Sequence, residues 1–234
     1  MRLRALLGLV ALVACGTATA ATAPSAVKAG YDLYKDGLHI ASVDESYEKT
    51  GDQYIIVSDS NPAGLLALFV RTKIKVQSSG SVTAAGLQPD KLDYGRLDDA
   101  SKNVSAAFDW RARELNLTYD GKSETLPLVP GIQDRLSVMY QFMFLAPEKV
   151  RALEFPMTNG KKIENYRYEL AGTEVLDTPL GKLKTLHLVK HRDPGENGTE
   201  VWLAADRRMF PVKLLIMEND GSKYEQVITR LEIK

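Results

Sequence analysis

The chain has 234 residues with 30 basic and 30 acidic side chains, three histidines and a single cysteine. That even charge balance argues against a basic nucleic-acid-binding surface, and one cysteine excludes an intrachain disulfide framework or a cysteine-based metal centre. With 44% hydrophobic residues, the length suits one all-β domain with a substantial core.

The first 20 residues read as a secretory signal. Arg2 and Arg4 form the charged region, Ala5 to Ala14 an apolar run too short to span a bilayer, and Gly16 to Ala20 a small-residue cleavage region. Removing the two arginines leaves 28 basic against 30 acidic residues. Two processing signals overlap here. Ala18-Thr19-Ala20 is a signal-peptidase site, which would release a periplasmic protein with no transmembrane segment, whereas Leu12-Val13-Ala14-Cys15 is a lipobox, which would leave an outer-membrane lipoprotein anchored at Cys15. Soluble export is the preferred reading. Residues 21–29 follow as a flexible small-residue leader, and residues 30–234 as a single β domain.

From Tyr31 onward, apolar and β-branched runs are separated by Asp36-Gly37, Thr50-Gly51-Asp52, Asp120-Gly121, Asn159-Gly160, the segment from Asp193 to Gly198 and Asp220-Gly221. These are hairpin turns, so the sheet should be an antiparallel meander. Asn61-Pro62 has the form of a helix start, predicting a short helix over about 62–68. Residues 69–76 alternate as a strand. Val104, Ala106, Phe108 and Trp110 share one parity, as do Leu115, Leu117 and Tyr119, and later Tyr166, Tyr168 and Leu170, so one face is buried and the other wet.

Between these runs, residues 134–145 predict a central helix that is apolar nearly all round and therefore buried. The runs 182–192 and 212–217 are apolar on both parities, which requires cover on both faces. The expected fold is mainly β: about ten or eleven antiparallel strands curled into a half-barrel or incomplete barrel around the central helix.

No catalytic template is present: there is no Gly-x-Ser-x-Gly, phosphate loop, Gly-x-Gly-x-x-Gly or His-Glu-x-x-His. His187 and His191 have i, i+4 spacing, but on a strand their Cα atoms stand about 13 Å apart, too far to share an ion. The pairs Asp44-Glu45 and Asp98-Asp99 read as solvated edge and turn charges. No catalytic, metal or cofactor-binding residue is assigned, and no cofactor is expected.

Gly30-Tyr31-Asp32, Gly64-Leu65-Leu66, Gly86-Leu87-Gln88-Pro89, Gln133 to Ser137, Trp202 to Asp206 and Phe210 to Leu214 together resemble the exported bacterial proteins grouped as DUF3108. The resemblance implies a Gram-negative envelope protein, with a looser likeness in fold to the LolA and LolB lipoprotein carriers, and it brings no catalytic residues. Among its motif positions, Asp134 and Ser137 read as the helix entry, Asp206 as a turn charge and Pro211 as a strand start.

Two functions follow as expectations. The first is a non-enzymatic protein binding or carrying a lipid, acyl chain or lipoprotein in the concave face, lined by Phe108, Trp110, Met139, Tyr140, Phe142, Met143 and Trp202. The alternative is an envelope protein that docks on a protein partner through the apolar hairpins at 182–192 and 212–217.

Overall fold

The structure is a computed structural model that describes residues 23–234 except 65, 66, 68–71, 146–148, 150 and 194. The predicted signal, Cys15 and the first two leader residues lie outside the described residues, as do residues 65, 66 and 68 of the helix expected at 62–68.

The N-terminal half is an antiparallel meander of β1 (Ala26–Lys35), β2 (Leu38–Thr50), β3 (Gln53–Pro62), β4 (Ile74–Thr83), β5 (Gly86–Arg96), β6 (Val104–Asp109), β7 (Glu114–Tyr119) and β8 (Lys122–Pro127). A two-residue strand β9 (Gln133–Asp134) and helix α1 (Ser137–Gln141) follow, and a 3-10 turn over Phe142–Phe144 continues the helix. The second meander comprises β10 (Ala152–Thr158), β11 (Ile163–Thr178), β12 (Gly181–Lys190), β13 (Gly198–Ala204), β14 (Phe210–Met217) and β15 (Lys223–Ile233).

All fifteen strands belong to one sheet, ordered β8 to β1 and then β15 down to β9, and only the β9–β10 pair is parallel. The two meanders join where β1 pairs with β15. Ser25 N donates to Lys234 O at 2.8 Å and Lys234 N to Ala26 O at 2.9 Å, which fastens the C-terminus to the middle of the sheet. The edges are β8 and β9, which are neighbours in sequence. Between Pro127 and Gln133 the chain reaches at most about 20 Å. The sheet therefore bends back on itself until its edges lie within that reach, yet they do not pair and the sheet is not closed.

Four expectations are corrected. Fifteen strands replace ten or eleven because several turns lack an Asx-Gly pair. In the β4–β5 and β11–β12 turns, Thr83 and Thr178 instead accept from the amides of Ala85 and Leu180 and donate to the carbonyls of Gly86 and Gly181. Asn61 and Pro62 end β3 rather than start a helix, because Ala41 and Ser42 of β2 pair with them. The central helix is shorter than 134–145: Gln133 and Asp134 pair with Met157 and Thr158 as a strand, and helical structure covers only Ser137–Phe144. Residues 26–29, expected as the end of the leader, instead belong to the sheet: β1 begins at Ala26, and both Val27 and Ala29 are fully buried.

The main core is lined by one parity of the first meander, including Val43, Tyr47, Ile56, Leu92, Ala106, Phe108, Leu115 and Leu117. A second, smaller core gathers Val138, Phe142, Phe155, Met157, Tyr168, Leu188, Val201 and Leu203. The two-faced hairpins are explained by this division. In β13, Val201 and Leu203 join the smaller core while Trp202 and Ala204 join the larger, and in β14 Leu214 and Leu215 divide the same way. The cover that both parities require comes from the chain itself.

Candidate functional site

The 137–144 segment is the one helical insert among the described residues that touches both cores. Tyr140 and Met143, with Leu136 just before the segment, enter the larger and Val138 and Phe142 the smaller. Five residues of α-helix are too short to be stable alone, so its position is decided by contacts with the sheet. Those contacts are polar as well as apolar.

At its entry, Asp134 Oδ1 accepts from the amides of Leu136 and Ser137, both at 2.8 Å, while Ser137 Oγ accepts from Asp134 N at 2.9 Å. This reciprocal arrangement satisfies first-turn donors. The other carboxylate oxygen accepts from Ser78 Oγ of β4 at 2.5 Å, and Ser78 Oγ lies 3.1 Å from Tyr54 Oη. Asp134 is wholly buried. Burial pushes its pKa up and these hydrogen bonds oppose the shift.

At the exit, Gln141 Oε1 accepts from Leu87 N at 2.7 Å and Nε2 donates to Ala85 O at 2.8 Å. Gln133 Nε2 donates to Leu87 O at 2.8 Å. Both backbone groups of Leu87 are thus held by glutamines from either side of the segment. Gly86 makes the approach possible, because a Cβ there would stand 2.4 Å from Gln141 Oε1, and its φ of +101° also favours glycine.

At the centre, Tyr140 Oη donates to Glu45 Oε2 at 3.2 Å and Ser58 Oγ to Glu45 Oε1 at 3.1 Å. Burial raises the Glu45 pKa from 4.5 to about 7 against the lowering effect of these two donors. The Tyr140 ring stacks on Tyr47 at 5.7 Å and meets Phe210 edge-on at 5.5 Å. Tyr47 Oη is buried without a hydrogen-bond partner among the described residues. An ionisable carboxylate thus sits inside an aromatic wall.

Of the residues expected to line a ligand site, Phe108, Tyr140, Met143 and Trp202 are buried in the larger core, with Met139 and Trp110 packed against it. Phe142 is separated from most of them and packs in the smaller core, edge-on to Phe155 and Tyr168, at 5.8 Å from each. Trp110 Nε1 donates to Pro89 O at 2.8 Å. Asp206 lies in the β13–β14 turn, and Pro211 O accepts from Tyr31 Oη at 3.0 Å.

His187 stacks on Trp202 at 4.3 Å, contacts Glu200 at 2.7 Å, and has Glu174 3.6 Å away. Trp202 Nε1 also donates to Glu174. His191 follows the end of β12, and its amide donates to Arg167 O at 2.7 Å. His39 instead pairs with Asp32 at 3.2 Å.

Glu45 is the residue that sequence reasoning misplaced. Asp44 does face solvent, where it pairs with Arg230, but Glu45 points inward. The signal was available: Glu45 shares its parity with Val43 and Tyr47, the buried face of β2.

The match to known proteins agrees with this architecture. The family model described as a protein of unknown function, DUF3108, matches residues 30–229. The chain belongs to the DUF3108 family. This DUF3108 chain shares its fold with the crystal structure of a β-barrel-like protein of the DUF1849 domain of unknown function from Brucella abortus, at TM-score 0.58 and 9% identity over 91% of this chain and 99% of that one. A candidate exported protein with a YmcC-like fold from Bacteroides fragilis aligns at TM-score 0.38 and 12% identity, over 89% of this chain and 96% of that one. No curated protein matches. Among the described residues no helix is long and apolar enough to cross a membrane.

Proposed function

We propose that this DUF3108 protein is a non-enzymatic, exported envelope protein that binds an apolar ligand, an acyl chain or the lipid of a lipoprotein, against the concave face of its bent sheet. Its place would be the periplasm, with anchorage through Cys15 as the alternative. The observation that carries this reading is the manner in which the concave face is covered. Its cover is the short 137–144 segment, pinned by side-chain hydrogen bonds from Gln141 to Ala85 and Leu87 and from Tyr140 to Glu45, and anchored at its entry by Asp134, which accepts from Ser78.

Undocking this cover breaks only a few polar anchors, each with a net value of about 1 kcal/mol once water replaces it, while the larger apolar cost of withdrawing the fully buried Val138, Tyr140 and Phe142 would be offset by the ligand that takes their place. The departure of the cover would expose an interior lined by Tyr47, Phe108 and Phe210. An acyl chain entering there would gain roughly 0.8 kcal/mol for each methylene buried. The carboxylate of Glu45, released from Tyr140, would then charge more readily as water reached it.

The decisive experiment is a native mass spectrum of the protein purified gently from bacterial envelopes, paired with titration of a fluorescent fatty acid. Lipid-sized mass present natively and lost on denaturation, with faster fatty-acid exchange in Gln141→Ala, is the expected result. A clean protein mass, with no saturable fatty-acid binding in either the parent protein or the variant, overturns the reading.

A further inference from the structure

A cleft of about 280 Å³ opens where the end of β9 and the β10–β11 turn face β5 and β6. One wall comes from the first meander: Tyr94 and Arg96 of β5, Lys102 of the following 3-10 turn, and Val104 of β6. The other wall comes from far along the chain: Arg135, immediately after β9, with Asn159 and Lys161 of the β10–β11 turn. Four cations therefore converge on a cleft that no carboxylate lines.

The walls are seated on one another. Gly160 approaches β6 so closely that a Cβ there would lie 2.4 Å from Val104 Cγ1, and its φ of +89° is one that glycine tolerates. Thr158 Oγ1 accepts from Gly160 N at 3.0 Å, and Asn159 Oδ1 accepts from the amides of Lys161 and Lys162 at 2.9 and 3.2 Å. With its oxygen committed to the turn, Asn159 presents an Nδ2 that has no partner among the described residues.

The cations differ in how they are held. Arg96, Lys102 and Lys161 pair with Asp98, Asp99 and Asp120 at 3.2, 3.3 and 2.9 Å, all involving part-exposed side chains. Exposed pairs of this kind contribute little and exchange partners easily. Arg135 has no carboxylate partner among the described residues; its guanidinium lies over the Tyr94 ring at 5.6 Å. Stacking on a ring leaves the edge donors of an arginine available, and their planar fork suits a bidentate oxyanion.

We propose that this cleft is a phosphate-binding site, with Arg135 as the principal ligand and Lys102, Lys161, Arg96 and Asn159 as supporting donors. Phosphate is the class that fits, because several cations around one arginine fork can satisfy more than one charge and all of its oxygens. It can arrive as free phosphate or as the headgroup of an anionic lipid. The inference stands on the cleft alone and does not require an acyl chain inside the sheet.

The test titrates inorganic phosphate into the mature protein by calorimetry at ~0.1 M salt, where exposed charges are screened beyond about 10 Å. In parallel, the protein is sedimented with vesicles of phosphatidylglycerol in phosphatidylcholine and with vesicles of phosphatidylcholine alone. Saturable phosphate binding identifies the free ion as a ligand. Retention on the phosphatidylglycerol vesicles alone identifies the lipid headgroup. In either arm Arg135→Gln and Lys102→Gln should each weaken binding about tenfold or more, as expected for lost charge-assisted bonds. Lys182→Gln, which alters an exposed cation paired with Asp177 in a distant hairpin, should not. Unchanged thermal melts would show that the variants fold. No saturable binding in either arm, or binding that survives both cleft substitutions, overturns the proposal.

Discussion

Tyr140 Oη on the helical insert donates a hydrogen bond to Glu45 Oε2 on β2 across 3.2 Å, although the two residues are 95 positions apart in sequence. The bond couples the protonation of a half-buried carboxylate to the seating of the segment that covers the concave face. Its consequences can be measured directly.

Stability should depend on pH through Glu45. The folded pKa is raised to about 7 from 4.5, so the folded state holds this proton more tightly than the unfolded chain. The favourable contribution is complete below pH ~4.5 and is lost as pH rises through about 7. At pH 8, Glu45→Gln should therefore be more stable than the parent by roughly 1–3 kcal/mol, and the difference should vanish near pH 4. Urea melts across that range would show it, and equal stabilities at both ends would contradict the assignment.

Tyr140→Phe keeps the ring contacts with Tyr47 and Phe210 but deletes the donor. Because that hydrogen bond lowers the Glu45 pKa, its loss should move the carboxylate midpoint further upward. Carbon-detected titration of the glutamate side chains would follow it. A midpoint that moved down would mean that water replaces the phenol.

Gln141→Ala removes the bonds to Leu87 N and Ala85 O. The expected cost is about 1–3 kcal/mol, since a buried donor loses its partner. The amide of Leu87 should then exchange faster with solvent than in the parent protein.

Gly86→Ala should cost more than the backbone conformation alone, because its Cβ would strike the Gln141 side chain. Combining it with Gln141→Ala relieves the collision. The double variant should be more stable than the sum of the two single costs predicts, by about 1 kcal/mol or more. Strict additivity would show that the two residues do not meet.

Phe142→Ala opens the smaller core between Phe155 and Tyr168 and should cost about 3–5 kcal/mol. Phe142 is fully buried, so the loss should appear in thermal and urea melts alike.

Much of this architecture was legible as local pattern. The alternation in 104–110, 115–119 and 166–170 gives strands whose buried parity is the one observed, and the Asx-Gly pairs mark hairpin turns. The two Thr-x-x-Gly turns escaped notice because their chemistry lies in a threonine hydroxyl three residues before the glycine. Asn61-Pro62 misled because a proline closing a strand and one opening a helix look alike until a neighbouring strand is placed beside them.

The candidate sites were less legible. Glu45 could have been placed inside by its parity, but nothing local says that Tyr140 would meet it. The cleft joins Tyr94 and Lys102 to Arg135 and Lys161, which no spacing in the chain connects.

The sequence by itself determined most of the strands, many of their turns and which side of the alternating strands is apolar, because these depend on residues within a few positions of one another. Only the tertiary structure decided where the edges of the sheet lie and what the 137–144 segment covers. The β1–β15 pairing joins the two ends of the domain, and the short connection from β8 to β9 bends the sheet until its edges approach. Both are long-range constraints, and both the Glu45–Tyr140 contact and the basic cleft exist only because of them.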